Sequence, residues 1–270
     1  MAEGVYFQPR VLGEYMRDFY REHALRVNPR GDRTVLERNA LTVARHQVGS
    51  DLRGIESHGV AMCRFYIKRI KNGTMDAFAE PTCKEDGHGN AVIYGNDALG
   101  SVIGKLGVST ALRLVRQRKS ARVYFVGGLN HMGRVGAYVE YIARQGPYRA
   151  RFVCTGDPWV KHPTGKDVYT GTNPIAVAQP VGFEWVYVLD FATTSTAKNK
   201  IRYYAATKQP LPLGWALDAQ GKDTTDPEKA LEPGATLTPL GWPASWVKGF
   251  FLSLDVNMEV LAGGNQAWGP

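Results

Sequence analysis

The sequence predicts a mixed α and β fold, in which a helical N-terminal segment precedes a larger region of short strands and helices. Apolar residues recur at helical spacing through the first third of the chain. Short runs rich in β-branched and aromatic residues begin after about residue 76, between glycine-rich turns and further helical segments. The 270 residues, 44% of them hydrophobic, are enough for two domains. We therefore predict a helical domain over residues 1–76 and an α+β domain over residues 77–270.

Three amphipathic helices are predicted in the first domain. The first carries Leu12, Tyr15, Met16 and Phe19, the second Leu36, Ala40, Val43, Ala44 and Val48, and the third Val60, Cys63, Ile67 and Ile70. Asp32 is placed to cap the second helix, because a carboxylate accepts hydrogen bonds from the first backbone N–H groups of a helix. Asn72 and Gly73 end the third helix.

The second domain alternates predicted strands and helices. The strands lie at residues 91–94, 121–126, 151–153 and 185–189, and the helices at residues 99–118 and 133–144. This order would suit a doubly wound parallel sheet. However, no Gly-x-Gly-x-x-Gly follows any of these strands, so the fingerprint of a dinucleotide-binding Rossmann fold is absent. Periodicity thus suggests a parallel sheet that lacks the usual dinucleotide-binding motif.

Several classes of protein are disfavoured by composition. No run of eighteen apolar residues exists, and residues 1–6 lack the zones of a secretory signal, so a cytoplasmic location without membrane contact is expected. Cys63, Cys83 and Cys154 are odd in number and lack metal-like spacing, so three free thiols are expected. Without a His-Glu-x-x-His motif, no metal site is predicted.

The net charge of +8 raises the question of nucleic-acid binding. A basic cluster is formed by Arg113, Arg116, Arg118, Lys119 and Arg122. These residues lie on a predicted helix and its exit, where a cationic outer face is ordinary, and no nucleic-acid-binding motif accompanies them. We therefore expect no nucleic-acid partner. A positive field also attracts small anionic ligands.

Ser57 and His58, which stand between two glycines, are the first candidate for catalysis. An imidazole exchanges protons near neutral pH, and a neighbouring serine can orient the ring or hold a substrate oxygen. His131 is the rival, because it stands in Asn130-His131-Met132-Gly133, which is predicted to open a helix. Which of the two histidines is the proton donor stays open here.

A serine hydrolase is a competing reading of the same residues. Ser57, His58 and Asp190 supply the three residue types of a catalytic triad. The segment lacks the Gly-x-Ser-x-Gly spacing, however, and a nucleophile directly beside its base has poor geometry for attack. This class is therefore disfavoured.

Four later segments follow in a recognisable order. They are Gly171-Thr172-Asn173-Pro174, Leu189-Asp190-Phe191-Ala192-Thr193, Gly214-Trp215-Ala216 and Lys248-Gly249. Together with the Ser57-His58 and Asn130-His131 segments, this series resembles the type 2 malate and L-lactate dehydrogenase family, which also contains ureidoglycolate, sulfolactate, diketogulonate and piperideine-carboxylate oxidoreductases. The resemblance covers residues 12–261.

The resemblance implies a non-Rossmann α+β scaffold with a largely antiparallel sheet that binds NAD or NADP, in place of the parallel sheet that periodicity suggests. It implies hydride transfer between nicotinamide and a small 2-hydroxy or 2-oxo acid, carried out by a homodimer. The implied catalytic residues are His58, Ser57, His131 and Lys200. The implied substrate contacts are Thr172, Gly171 and Asn173. The implied cofactor contacts are Asp190, Phe191, Ala192, Thr193, Leu240, Gly241 and Lys248. Lys198 is expected to be an ordinary exposed helix lysine.

The chain departs from the family pattern at a few positions. Met62 stands where many members carry an arginine that grips the substrate carboxylate. Either lysine and backbone donors are expected to hold the carboxylate here, or the substrate carries a different group at that place. Trp242 and Phe251 replace usual glycines and could crowd a cofactor. The sequence given ends where relatives continue with a return segment. The alternative function is therefore a catalytically degenerate or truncated paralogue that keeps the fold and binds dinucleotide or a partner subunit.

Overall fold

A computed structural model of the chain describes residues 6–162, 164–165, 167–182 and 184–264. The chain forms two compact units, Met1–Tyr138 and Val139–Pro270. Both units contain helices and strands, which confirms the mixed α+β class. The domain boundary near residue 76 stays a prediction. The expectations for the first five residues and for the end of the chain after residue 264 fall outside the described residues.

The first unit begins with three helices that share one apolar core. They are α1 (Pro9–Val27), α2 (Arg33–Asp51) and α3 (Cys63–Lys71), and single 3-10 turns at Glu56–His58 and Val60–Met62 precede α3. The core includes Tyr20, Leu36, Ala40, Val43, Tyr66, Ile67 and Ile70. Asp32 caps α2 by accepting hydrogen bonds from the backbone N–H groups of Thr34 and Val35. The periodic apolar pattern therefore predicted all three helices and this cap correctly.

A three-stranded sheet completes the first unit. Its strands are β1 (Thr82–Glu85), β2 (Asn90–Tyr94) and β3 (Arg122–Val126), in the order β1-β2-β3. The β1 and β2 strands are antiparallel, whereas β2 and β3 are parallel and are joined through α4 (Gly100–Arg118).

The helix predicted over residues 133–144 is shorter in the structure. It begins only at Gly136, as α5 (Gly136–Ala143). The prediction that Asn130 and His131 open this helix is therefore wrong. Gly133 adopts a φ of +72°, which a continuous right-handed helix does not allow. Residues 130–134 form a loop, here called the His131 loop.

The second unit is built around a three-stranded antiparallel sheet in the order β4-β7-β8. The strands are β4 (Ala150–Val153), β5 (Val160–Lys161), β6 (Val168–Thr170), β7 (Ile175–Val181), β8 (Trp185–Phe191), β9 (Ala216–Leu217) and β10 (Thr236–Leu237), and the helices are α6 (Lys198–Ala206) and α7 (Trp246–Gly264). The pairs β5 with β6 and β9 with β10 are also antiparallel. A largely antiparallel arrangement is therefore confirmed.

Two features of the chain bear on its surroundings. Among the residues that the structure describes, no helix is both long enough and apolar enough to cross a lipid bilayer. Cys63, Cys83 and Cys154 are all free thiols and are partly buried.

Candidate active site

Three partly buried imidazoles lie together in the first unit. The rings of His58 and His131 stack, with centroids 5.4 Å apart and planes inclined by 19°. A positive charge on His58 or His46 would lower the pKa of His131, and one on His58 would lower the pKa of His46. The structure therefore brings together both histidines proposed from the sequence and adds a third.

Ser57 and His58 occupy the 3-10 turn Glu56–His58. Ser57 Oγ lies 2.9 Å from His58 Nδ1, which is hydrogen-bonding distance. Within the described part of the chain, the other ring nitrogen, Nε2, makes no hydrogen bond. Ser57 therefore orients the ring, and Nε2 remains the nitrogen that can exchange a proton with a ligand.

An aspartate at the end of α2 fixes the turn that follows His58. Asp51 Oδ2 accepts the backbone N–H of Val60 at 2.9 Å. A Cβ on Gly59 would come within 1.6 Å of Asp51 Oδ1, so only glycine allows this approach. Burial raises the pKa of the Asp51 carboxyl. The Asp51–Gly59 contact explains why the Ser57-His58 pair is followed by a glycine.

His131 is held by Tyr66, which lies on α3. The Tyr66 hydroxyl lies 3.0 Å from His131 Nδ1 and 3.1 Å from the backbone oxygen of His131. A Cβ on Gly100 would meet the same backbone oxygen at 2.0 Å. The ring and the backbone of His131 are thus both fixed by well-packed neighbours.

The ends of the His131 loop are tied to the first unit by side chains. Asn130 Nδ2 donates to the backbone oxygens of Asp97, at 2.9 Å, and Ala98, at 3.1 Å. The Tyr138 hydroxyl donates to the backbone oxygen of Met132 at 2.5 Å. His46 Nε2 accepts the backbone N–H of Arg134 at 2.9 Å. These bonds account for the loop geometry in place of a helix.

All three imidazoles are neutral at pH 7. Burial lowers the pKa of His58 to about 4, with a further contribution from the charge of Arg134. Burial, Arg134 and His58 lower the pKa of His46 to about 4. Burial, the other two histidines and Arg69 lower the pKa of His131 to about 3. A neutral imidazole can accept a proton from a hydroxyl group, so the protonation state of the cluster is compatible with general-base chemistry.

Sequence reasoning missed three residues of this cluster: His46, Tyr66 and Arg134. Arg134 is only 8% exposed, and its charge acts on both His46 and His58. His46 lies on an amphipathic helix, where a lone histidine gives no signal. Arg134 follows the Asn130–Gly133 motif directly, and a cation so close to a candidate histidine in the sequence was the available clue.

The turn of residues 171–173 is a buried junction in the second unit. Asn173 is fully buried, with a φ of +32°. Its side chain accepts the backbone N–H of Gly156 at 3.2 Å, and donates to the backbone oxygen of Ser253 at 2.9 Å and to Asn257 Oδ1 at 2.8 Å. The Asn173 side chain is therefore engaged within the protein, and its predicted substrate contact stays a prediction.

Thr172 and Gly171 complete this turn. A Cβ on Gly171 would meet the backbone oxygen of Gly156 at 2.5 Å, so glycine allows two backbone segments to pack closely. Thr172 is only partly buried, and within the described residues its Oγ1 makes no hydrogen bond. Of the three predicted substrate contacts, only Thr172 has a side-chain group that makes no hydrogen bond to the described residues, namely its hydroxyl.

The segment after β8 lies beside the loop that contains Leu240 and Gly241. Thr193 is fully buried and donates its hydroxyl to the backbone oxygens of Thr172 and Asn173, both at 3.2 Å. Its own backbone oxygen accepts the N–H of Leu240 at 3.0 Å. Gly241 follows with a φ of +89°. Thr193 thus joins the turn of residues 171–173 to the Leu240–Gly241 loop.

The remaining predicted cofactor contacts differ in accessibility. Asp190, Phe191 and Ala192 are partly buried at the end of β8, whereas Leu240, Gly241 and Lys248 are exposed. Trp242, the bulky residue in this loop, donates its indole N–H to Asp223 Oδ1 at 2.9 Å. Phe251 is 58% exposed. These six predicted contacts are therefore exposed or partly exposed, and their role stays a prediction.

Lys198 and Lys200 both lie near tryptophan rings at the start of α6. Lys198 Nζ lies over the ring of Trp159, and Lys200 Nζ lies 5.4 Å from the ring centroid of Trp215. Lys198 is partly buried, so the expectation of an ordinary exposed lysine is wrong. Burial, and then the charge of Arg202, lower its pKa to about 8, against the opposing effect of Asp157. Lys200 is exposed.

The donor groups of the second unit suit a dinucleotide better than a metal ion. The exposed Leu240 and Gly241 offer apolar and backbone surface, the Asp190 carboxylate can accept hydrogen bonds from hydroxyl groups, and the ammonium of Lys198 can neutralise a phosphate. Among the described residues, no three His, Cys, Asp or Glu side chains are grouped so that they could hold a metal ion.

The chain is similar to known dehydrogenases over most of its length. The family model described as malate/L-lactate dehydrogenase matches residues 32–267. The ureidoglycolate dehydrogenase (NAD(+)) of Escherichia coli K12 is 32% identical over 225 residues, which cover 83% of this chain and 62% of that protein. The L-sulfolactate dehydrogenase of Methanocaldococcus jannaschii is 34% identical over 232 residues, covering 86% and 65%. The chain thus spans less than two thirds of the length of either relative.

A solved structure agrees with these matches. A dehydrogenase from Sinorhizobium meliloti superposes with a TM-score of 0.82 at 25% identity, over 97% of this chain and 72% of that one.

Proposed function

We propose that this chain is an NAD(P)-dependent oxidoreductase acting on a small 2-hydroxy or 2-oxo acid, because it belongs to the malate/L-lactate dehydrogenase family. The single observation that carries this proposal within the first unit is the stacked pair of neutral imidazoles, His58 and His131. Oxidation of an alcohol requires a base for the hydroxyl proton, and these two side chains are in the correct protonation state for it.

His58 is the proposed proton acceptor. Its Nδ1 is occupied by Ser57 Oγ, so a ring that donates its Nδ1 proton to Ser57 presents the lone pair of Nε2 to the substrate. In the reverse direction, the protonated ring returns the same proton to the carbonyl oxygen. His131 is the second candidate, and its tighter packing and its lower pKa favour a role in shaping the site.

Arg134 is the proposed counter-charge for the substrate carboxylate. It is a buried cation whose charge reaches His58, so an anion bound beside the imidazoles would be stabilised in a region of low dielectric constant. Met62 cannot do this, and Arg134 offers a guanidinium in the same unit. Within the second unit, Thr172, through its hydroxyl, and Lys200, through its ammonium, are the proposed ligand contacts.

The nicotinamide cofactor, when bound, supplies the carbon that accepts or returns the hydride. Asp190, Phe191, Ala192, Leu240 and Gly241 are the residues proposed to hold it, with Lys248 and Lys198 available for its phosphates. Thr193 acts from within the protein, because it joins the turn of residues 171–173 to the Leu240–Gly241 loop.

We further propose that the chain forms a homodimer in the cytoplasm. We also propose a domain boundary at residue 76, between a helical domain and a cofactor-binding domain. Support for self-association comes from the β8 edge strand, where Trp185, Tyr187 and Leu189 are 74%, 48% and 38% exposed at alternate positions. Such a strand is a recognised surface for association. Light scattering after size exclusion tests this, and a monomer at micromolar concentration would contradict it.

The experiment that tests the main proposal follows reduced nicotinamide by its absorbance with a panel of 2-oxo acids and both cofactors. Oxidation of NADH or NADPH with at least one 2-oxo acid is expected. The alternative, a degenerate paralogue that keeps the fold, predicts no turnover. A cofactor-dependent rise in melting temperature without turnover would favour that alternative. If neither turnover nor such a rise is seen, the proposed dinucleotide binding is wrong for both.

A further inference from the structure

His46 lies on α2 and contacts the His131 loop through one ring nitrogen. Its Nε2 lies 2.9 Å from the backbone nitrogen of Arg134. A backbone N–H can only donate, so Nε2 must accept and must carry a lone pair. In the neutral ring the proton therefore resides on Nδ1. The hydrogen bond thus selects one of the two neutral tautomers of His46.

The loop is shaped to receive this ring. A Cβ on Gly133 would lie 2.4 Å from His46 Nε2, and Gly133 adopts a φ of +72°. Both the space and the backbone conformation therefore require glycine. The ring of Tyr138 stacks on His46, with centroids 5.3 Å apart and planes inclined by 23°. Ring position and tautomer are fixed by separate contacts.

The loop held in this way carries two proposed functional residues. His131 lies at the second position of the loop, and its ring faces His58 at 5.4 Å. Arg134, whose N–H bonds to His46, lies at the last position. Asn130 fixes the first position through its two hydrogen bonds to backbone oxygens. A change at His46 therefore releases the end of the loop opposite to the Asn130 anchor.

We propose that His46 is a positioning residue for the reaction: its neutral imidazole accepts the Arg134 N–H and thereby holds His131 and Arg134 in place beside His58. Protonation would put an N–H against an N–H and break the contact. The titratable groups near His46 are Arg134, His58 and His131. The guanidinium of Arg134 opposes a positive charge on His46, as a protonated His58 would, and a protonated His46 lowers the pKa of His131. The kinetic part rests on the proposed function, whereas the hydrogen bond does not.

The hydrogen bond is tested without any turnover. Two-bond ¹H–¹⁵N spectra at pH 7 should show His46 as the Nδ1–H tautomer, and exchange of the Arg134 amide should be slow. In His46→Leu, which lacks the acceptor, the Arg134 amide should exchange faster, while in His46→Gln it should stay protected, because the amide oxygen of Gln can occupy the position of Nε2. An Nε2–H tautomer, or an Arg134 amide indifferent to His46→Leu, would overturn the proposal.

The kinetic test compares the same variants. His46→Leu should lose about a hundredfold in kcat/KM, which is the size expected of a small displacement of reacting groups. His46→Gln should keep most of the activity. In this variant the acid side of the pH dependence of kcat/KM should no longer include the titration of His46. His88→Gln, which changes an exposed histidine, is the matched control. Equal losses in the Leu and Gln variants would contradict positioning through the acceptor. If the unaltered chain shows no turnover, the proposed function fails, and the spectra alone decide whether His46 holds the loop.

Discussion

The imidazole rings of His58 and His131 stack 5.4 Å apart in the first unit, although 73 positions separate the two residues in the sequence. Each ring has one nitrogen engaged by a hydroxyl group, that of Ser57 or that of Tyr66. The two histidines therefore form a pair in which each ring keeps one nitrogen without a hydrogen bond to the described residues. They differ in pKa, which is about 4 for His58 and about 3 for His131.

Replacement of either histidine should separate their roles. His58→Ala should lower kcat by about a hundredfold to ten-thousandfold, because it removes the proposed base. His131→Ala should raise KM more than it lowers kcat, because this ring packs against His58 and Tyr66. Steady-state kinetics with a 2-hydroxy acid measures both. The reverse pattern would assign the base to His131.

Acidification should destabilise the first unit before the carboxylates titrate. In the unfolded chain the three histidines titrate near pH 6.5, whereas in the folded state their pKa values are about 4, 4 and 3. Between these limits the unfolded state binds more protons, so the free energy of unfolding falls as the pH falls through 6.5 towards 4.

Thermal melting between pH 7.5 and pH 5 measures this effect. The melting temperature should fall over that range, and His46→Gln should show a shallower fall, since one buried imidazole no longer titrates. A melting temperature that stays constant from pH 7 to pH 5 would show that these rings are not buried in the neutral form.

Substitution of Gly59 should be costly because of Asp51. In Gly59→Ala the new Cβ would lie 1.6 Å from Asp51 Oδ1 and would break the hydrogen bond to Val60, with a loss of about 1–3 kcal/mol in the free energy of unfolding. Gly13→Ala is the control, because its Cβ meets no atom within 4 Å and it lies inside α1. That variant should gain about 0.5–1 kcal/mol. Urea unfolding of both proteins gives the comparison, and equal stabilities would rule out the steric argument.

Lys198 should make cofactor binding depend on pH near 8. Its ammonium is charged below a pKa of about 8 and neutral above it, so the affinity for an anionic cofactor should fall as the pH rises through that value. Lys198→Met should weaken binding at pH 7 by up to about tenfold and should remove this pH dependence. Fluorescence titration with NADH or NADPH measures Kd, with the exposed Lys105→Met as control. If the two variants bind alike at pH 7, Lys198 has no such role.

The sequence predicted the parts of the fold that depend on local periodicity. The apolar stripe of α2 and its cap at Asp32 are set by nearby residues, so both could be recognised directly. The His131 loop could not, because residues 133–144 keep a helical pattern and the loop depends on contacts from distant residues. His46 and Arg134, for example, are 88 positions apart. The two-residue strands β5, β9 and β10 are also too short for any periodic signal.

The candidate functional residues also fall into those that sequence motifs identify and those that depend on contacts between distant parts of the chain. Ser57, His58 and His131 were identified from their motifs, and the structure groups the two histidines. The burial of Lys198 against Trp159 is a tertiary contact over 39 positions, and the composition around Lys198 gives no indication of it. The commitment of Asn173 to hydrogen bonds within the protein is of the same kind.

The junction at Asn173 has a consequence for how the second unit folds. Its side chain joins segments that are 17, 80 and 84 positions away along the chain, and its backbone is held in the left-handed region. Such long-range closures are costly in chain entropy and form late. The turn that carries Thr172 should therefore acquire its final shape only after α7 has been synthesised and has docked.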